Sequence, residues 1–413
     1  MRFEDSNFAP VIKKNLEEIG FRRPTDIQFK AIPPILNGED VLAIAQTGTG
    51  KTAAFVIPVV NLLLKDKNEG GIRCMVMVPT RELAIQITEV FETISKGSGI
   101  KTLCVYGGVE QDPQIKKLAK GIDILVATPG RMFDLTSQGY ITTDKVKILI
   151  LDEADHMLDL GFVHDIRHLV TKLPKYRQTL FFSATINHEI KKLAYSLVKE
   201  AIRIQISPKD PVSKNIDHFV TFIEMDDKRF FLERMINEHP GSKILVFVRT
   251  RVRAERVQAA LQRVEIPSVT MHGDKDQKER EKALLSFRKG DVSILIATDV
   301  TARGIDIPDV DYVINYDLPE KAENYVHRVG RTGRGTKRGT AISFCSKEEK
   351  PVLDEIETYL TKEIEVLKIT KNDYSETIDL SIEGPKDWRS LIEEAEKVEE
   401  KRNKKAKPFK RKK

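Results

Sequence analysis

The feature that most constrains this chain is an alternation of short, continuously apolar runs with segments of helical periodicity. The runs Val41–Ile44, Cys74–Val78, Thr102–Val105, Ile122–Val126, Ile148–Leu151 and Thr179–Phe182 recur through the first half. Most lack the polar alternation of a half-exposed strand, which implies burial on both faces, the condition of a parallel sheet covered by helices. A break follows at Ser207-Pro208-Lys209-Asp210-Pro211-Val212-Ser213-Lys214, where two prolines and polar residues interrupt the pattern and mark a linker. The alternation then resumes with Lys243–Val248, Val292–Ala297 and Tyr312–Asn315. Between them Gln277–Phe287 reads as a helix closed by Gly290 as its C-cap. The expectation is two similar α/β units in series, over residues 1–207 and 215–368, joined by a linker at 208–214. Beyond 368 the pattern fades into an extension over 369–413 that carries a short helix near Trp388–Val398. A length of 413 residues suits two domains and a tail.

Charge separates the body from its end. The net charge is +6, yet residues 401–413 hold nine Lys or Arg and no acid, so the rest sums to −3. The basic tail fits a disordered arm for polyanions, or a solubilising end with no partner. No apolar run approaches the about 20 residues needed to span a bilayer, and the start Met1-Arg2-Phe3-Glu4-Asp5 has no apolar signal core, so a cytoplasmic location and no membrane partner are expected. Cys74, Cys104 and Cys345 are too far apart to suggest a metal pair and read as buried apolar fillers.

Only the first unit contains a phosphate-binding loop. Ala45-Gln46-Thr47-Gly48-Thr49-Gly50-Lys51-Thr52 follows a buried strand and opens a helix, so its backbone amides and the helix N-terminus form a nest for phosphate oxygens. Lys51 would reach the β- and γ-phosphates, and the Thr52 hydroxyl would ligate Mg²⁺. The loop begins with Ala45 where the strict pattern has Gly, which is tolerable because the tight approach falls at Gly48 and Gly50. About a hundred residues on, strand Ile148–Leu151 delivers Asp152-Glu153-Ala154-Asp155 at its carboxyl end, where ligands bind in open α/β sheets. Asp152 would hold the hydrated Mg²⁺, and Glu153 would orient or deprotonate the attacking water.

With Asp152-Glu153-Ala154-Asp155 the chain resembles the DEAD-box family of RNA helicases, a branch of helicase superfamily two, over roughly residues 1–368 and with the family's motifs in order. The resemblance implies two tandem RecA-like domains with parallel sheets and ATP in the cleft between them. It also implies an adenine-reading segment within residues 1–29: Gly20–Gln28 with Phe21, Thr25 and Gln28, and Phe3 stacking on the base. A Gln amide offers the donor and acceptor that match the N6 and N7 edge of adenine, so ATP would be preferred over GTP. Thr80 and Arg81, Gly107 and Gly108, and Thr128, Gly130 and Arg131 resemble RNA-contacting segments. So do Arg249, Thr298 and Gly304 in the second unit, where Asp306 resembles the family's ribose ligand. Asp155, Ser183, Thr185 and His327 resemble the network that couples hydrolysis to strand separation. Arg331 and Arg334 resemble arginine fingers that neutralise transition-state charge on the γ-phosphate, with Arg328 the weaker candidate.

On this resemblance the chain is an RNA-stimulated ATPase, acting as a monomer, that unwinds short RNA duplexes or remodels RNA–protein complexes. Backbone contacts carry little sequence information. The minimal core, short N-terminus and basic end look like bacterial members such as the RhlE type, a group implicated in ribosome assembly and RNA turnover, which points to ribosomal or RNA-decay partners. Two alternatives stay open on sequence alone: a DNA-directed ATPase of the same superfamily, and an RNA clamp or scaffold that keeps the fold without productive unwinding.

Overall fold

The computed structural model describes residues 2–45, 48–66, 70–206, 212, 215–299, 307, 310–333 and 337–381. Gln46, Thr47, Gly304, Asp306 and Arg334 lie outside the described residues, as do the linker apart from Val212, the helix expected near Trp388–Val398 and the basic arm. The chain separates into two compact units, the break falling immediately before Val212.

The first unit is a seven-stranded, fully parallel sheet. Its strands are β1 (Val41–Ala45), β2 (Cys74–Met77), β3 (Thr102–Val105), β4 (Ile124–Ala127), β5 (Ile148–Leu151), β6 (Gln178–Ser183) and β7 (Ile202–Ile206), in the order β3-β4-β2-β5-β6-β1-β7. Successive side chains go to opposite faces, which builds two cores. Val41, Ala43, Val76, Val126, Ile150 and Phe182 pack under the helices Asp26–Leu36, Lys51–Lys65 and Arg81–Ile94. Leu42, Ile44, Met75, Leu125, Leu149 and Phe181 pack under Pro129–Ser137, Val163–Lys172 and His188–Leu197. Five inner strands are buried at every residue, as the continuous apolar runs require, whereas the edge strands β3 and β7 are half open. Cys104 sits on edge strand β3 and is half-buried rather than core; Cys74 and Cys345 are buried.

The second unit repeats the plan. Its strands are β8 (Ile216–Phe222), β9 (Ile244–Phe247), β10 (Val269–Met271), β11 (Ile294–Ala297), β12 (Tyr312–Asn315), β13 (Gly339–Cys345) and β14 (Glu365–Val366), all parallel, in the order β10-β11-β9-β12-β13-β8-β14. Reading β8 for β1 and onward, this is the strand order of the first sheet. The expected helix runs Gln277–Lys289; Asp276 caps it by accepting from the Glu279 amide at 2.8 Å, and Gly290 ends it at φ 84°. Where the sequence pattern fades after 368, the chain forms one more helix, Lys371–Asp379. Tyr374 docks it by donating to Asp227 at 2.7 Å and packing on Phe231 at 4.9 Å between ring centroids. Among the described residues no helix is long and apolar enough to cross a membrane.

Candidate active site

In the first unit every candidate residue past residue 40 lies at or after the carboxyl end of a strand. The sheet order sorts them into two halves. The expected phosphate loop follows β1, Ser183–Thr185 closes β6, and Asp152–Asp155 follows β5, so the expected nucleotide and coupling residues occupy the neighbours β5-β6-β1. Thr80 and Arg81 follow β2, Gly107 and Gly108 follow β3, and Thr128, Gly130 and Arg131 follow β4, so the expected RNA residues occupy β3-β4-β2.

Lys51 is the first residue of its helix and is 7% exposed, yet among the described residues its Nζ has no hydrogen-bond partner. A buried ammonium without acceptors is costly, and an incoming phosphate oxygen would supply them. Thr52 follows, half-buried in the helix's first turn. Gly50 precedes Lys51 at φ 93°, and a Cβ there would lie 2.6 Å from Gln28 Nε2 and 3.0 Å from the Thr25 hydroxyl, so only glycine fits both backbone and space. Gln28 Nε2 donates to the Gly50 carbonyl at 3.1 Å and its Oε1 accepts from the Thr25 amide at 3.0 Å. Each amide atom keeps one further hydrogen or lone pair. The expected adenine-reading segment is thus fastened to the expected phosphate loop. Phe3, expected to stack on the base, is in the core and stacks on Phe21 at 6.3 Å and 28°; of the two rings Phe21, 36% exposed, is the accessible one.

Asp152 is 3% exposed. Burial pushes its carboxyl up to about 7, opposed by nearby Lys51 and reinforced by Glu153 and Asp155. Such a site carries more negative charge than it can solvate, and a divalent cation would balance it. Thr52 and Asp152 therefore fit Mg²⁺, although among the described residues no group of three His, Cys, Asp or Glu could hold a metal unaided. Glu153 is held in the left-handed region at φ 50°, a conformation that costs a non-glycine residue about 1–2 kcal/mol and that aims its backbone out of the strand direction. His156 lies beneath, its Nδ1 3.6 Å from the Glu153 carboxylate. Sequence reasoning missed this histidine; its only signal was a position three residues after Glu153 on a short helix.

Asp155 ties the acidic turn to β6. Its Oδ2 accepts from the Ala184 amide at 3.1 Å, the Thr185 amide at 2.9 Å and the Thr185 hydroxyl at 3.1 Å, while Ser183 donates to the Thr185 carbonyl at 2.8 Å. In the other half of the sheet, Thr80 caps its helix by accepting from the Leu83 amide at 3.3 Å. Gly108, at φ 76°, leaves room for the Arg81 guanidinium that a Cβ would strike. Arg131 is buried and donates to the Val109 carbonyl at 2.7 Å, which fixes the loop that presents Gly107 and Gly108. Gly107 and Gly130 have open space where a Cβ would be.

In the second unit Arg328 is fully committed, with Nε and Nη2 on Asp299 at 2.5 and 2.8 Å and Nη1 on the Asp317 carbonyl at 2.6 Å. Arg331 is buried, and its Nε donates to the His327 carbonyl at 3.2 Å. Thr298 is buried just past β11, and Arg249 follows β9 with its side chain 37% exposed.

Comparison with known proteins matches residues 25–193 to the DEAD/DEAH box helicase family and residues 227–336 to the helicase conserved C-terminal domain. The chain is 40% identical over 386 residues to the ATP-dependent RNA helicase RhlB of Shewanella amazonensis, covering 92% of this chain and 87% of that protein. It is 39% identical over 367 residues to the DEAD-box ATP-dependent RNA helicase RhpA of Helicobacter pylori, covering 89% and 74%. Among solved structures, S. cerevisiae Dbp5 bound to RNA and ADP BeF3 matches with TM-score 0.81 at 30% identity, over 96% of this chain and 99% of that one. A motif set in family order, two family models that together match most of the chain, and relatives of this identity and coverage agree that the chain belongs to the DEAD-box family of ATP-dependent RNA helicases.

Proposed function

We propose that the chain hydrolyses ATP at the carboxyl edge of its first sheet and spends each cycle gripping and releasing RNA, separating short duplexes or remodelling RNA–protein complexes. The observation that carries this reading is the Lys51 ammonium, buried without an acceptor among the described residues beside the buried Asp152 carboxyl. Lys51 and the amides from Gly48 to Thr52 hold the phosphates. Thr52 and Asp152 would hold the Mg²⁺ that accompanies the triphosphate, which would supply charge neutralisation on the phosphates. Glu153 orients the attacking water. Gln28 reads the adenine edge, Phe21 covers the base, and Asp306 binds the ribose.

Asp155 gives the hydrolysis step a physical route to the rest of the unit, because its three bonds to Ala184 and Thr185 move whenever the acidic turn moves. Thr80, Arg81, Gly107, Gly108, Thr128, Gly130 and Arg131 bind RNA backbone from the first unit, and Arg249, Thr298 and Gly304 from the second. Arg331 and Arg334 act as the fingers, with His327 in their network. Since chemistry and fingers belong to different units, turnover requires closure, and ATP and RNA, favouring the same closed state, bind with reciprocal coupling. The chain works as a cytoplasmic monomer with ribosomal or RNA-decay partners.

ATPase rates measured with RNA and DNA strands of equal length and sequence test this reading. RNA is expected to stimulate turnover at least about tenfold more than DNA, since a site that hydrogen-bonds the 2′-hydroxyl loses those bonds with DNA. Equal stimulation by both, or none by RNA, would sink it.

A further inference from the structure

The buried ion pair of the second unit belongs to no motif singled out in the sequence. Lys228 opens the first helix after β8, as Lys51 opens the first helix after β1. Its Nζ is wholly buried and donates to the Tyr316 carbonyl at 2.8 Å, the Phe344 carbonyl at 3.0 Å and the Glu349 carboxylate. Glu349, equally buried, gathers donors from several strand ends. Its Oε2 also accepts from the Ser346 amide at 3.1 Å, just past β13, and its Oε1 accepts from the Leu318 amide at 3.1 Å, beyond β12. The fourth donor is Nη2 of Arg249, past β9, at 3.3 Å. Nη2 also meets the Leu318 carbonyl at 3.3 Å, and the Arg249 amide donates to Asp317 at 2.9 Å. One edge of the guanidinium is thus clamped while the side chain stays 37% exposed. A carboxylate has about four lone-pair sites, and all four here are used.

We propose that Glu349 is a positioning residue for RNA binding: locked by Lys228, Leu318 and Ser346, its carboxylate fixes the Arg249 guanidinium so that the exposed edge meets a backbone phosphate. This rests on the assignment of Arg249 as an RNA contact. An amide in place of the carboxylate offers one acceptor oxygen instead of two and turns a donor toward Lys228 or Arg249, so Arg249 loses its clamp.

The test uses the full chain, with ATPase measured against RNA concentration at several salt concentrations. The variants are Glu349→Gln, Arg249→Ala, their double mutant, and Lys228→Met combined with Glu349→Gln, which leaves no buried charge stranded. Glu349→Gln is expected to raise the KM for RNA about fivefold with kcat at saturating RNA retained, the split expected when a ground-state contact is lost. The slope of log affinity against log salt should fall by about one, as for loss of one phosphate contact. Arg249→Ala should match it, the double mutant should be no worse than Arg249→Ala, because the two act through one contact, and the charge-free pair should show the same KM. A Glu349→Gln or charge-free variant that folds and keeps the wild-type KM, or additive losses in the double mutant, overturns the proposal. If Arg249→Ala leaves KM and salt slope unchanged while RNA still stimulates the wild type, this inference fails and the helicase reading stands. If RNA stimulates nothing, the helicase reading fails with it.

Discussion

Lys51 and Lys228 each begin the helix that follows the first strand of a unit with the same strand order, yet among the described residues one ammonium is buried with no acceptor and the other with three. The likeness extends to the caps: Thr80 after β2 and Thr250 after β9 each accept from the amide three residues on, at 3.3 and 3.2 Å. It ends at the groups that face the lysines. The first residue past β5 is Asp152, whose charge Lys51 feels; the first past β12 is Tyr316, whose carbonyl accepts from Lys228 and whose ring lies 5.9 Å from it. The second past β5 is Glu153, in a strained left-handed conformation; the second past β12 is Asp317, engaged by the Arg249 amide and, at 3.4 Å, by Arg253. The same strand order therefore supports two outcomes at the helix-opening lysine: among the described residues the first unit leaves the ammonium without an acceptor, for a ligand to complete, and the second satisfies it internally.

If that contrast holds, the largest effect belongs to the strained, unsatisfied side. Glu153→Gln should lower ATP turnover about 10³-fold, the scale of losing a positioned base, while ATP and RNA binding, followed by fluorescence anisotropy, persist. Substituting Asp317, the matching residue, should leave that chemical step in place. Turnover that survives Glu153→Gln would break the comparison at its centre.

Stability should divide the lysines next. Lys228→Met strands the Glu349 carboxylate in the core and should cost the second unit about 3 kcal/mol or more. Lys51→Met removes an ammonium with no hydrogen-bond acceptor among the described residues and only the nearby Asp152 charge to balance, so its melting midpoint should fall much less than that of Lys228→Met, while ATP binding is lost. Parallel denaturant melts decide this, and equal losses in both variants would mean that the two lysines serve the same structural purpose.

What could be read from the sequence followed the same division. Inner strands such as Ile148–Leu151 declared themselves by continuous apolarity, and the phosphate loop by its glycines and lysine. The strands β7, β8 and β13 escaped notice because Arg203 and Gln205, Asp217 and His218, and Thr340 and Ser343 interrupt their apolar residues. On β7 the polar residues face solvent at the sheet edge, whereas Ser343 is buried and accepts from Asn315 at 3.0 Å. The Lys228–Glu349 pair was illegible, since the two residues are 121 apart and only the repeated strand order reveals that Lys228 matches Lys51. The helix Lys371–Asp379 was missed because it holds to its unit largely through Tyr374 and through Arg234, which donates to Thr377 at 2.7 Å, rather than by an apolar stripe.

The smallest predicted effect concerns the loops themselves. In the second unit Ile223-Glu224-Met225-Asp226-Asp227 joins β8 to its helix without a glycine, whereas in the first both Gly48 and Gly50 have positive φ, at 79° and 93°. Gly48→Ala meets open space and carries only the cost of a left-handed backbone, about 1 kcal/mol. Gly50→Ala adds a Cβ 2.6 Å from Gln28 Nε2, so the Gln28 amide must leave the Gly50 carbonyl. Gly50→Ala should therefore weaken ATP more than Gly48→Ala does, by about threefold to tenfold, the loss of roughly one hydrogen bond. It should also narrow the preference for ATP over GTP, which Gly48→Ala should leave alone. Competition binding with both nucleotides reads the two effects separately, and a Gly50→Ala variant that kept its full preference for adenine would show that the Gln28–Gly50 bond plays no part in reading the base.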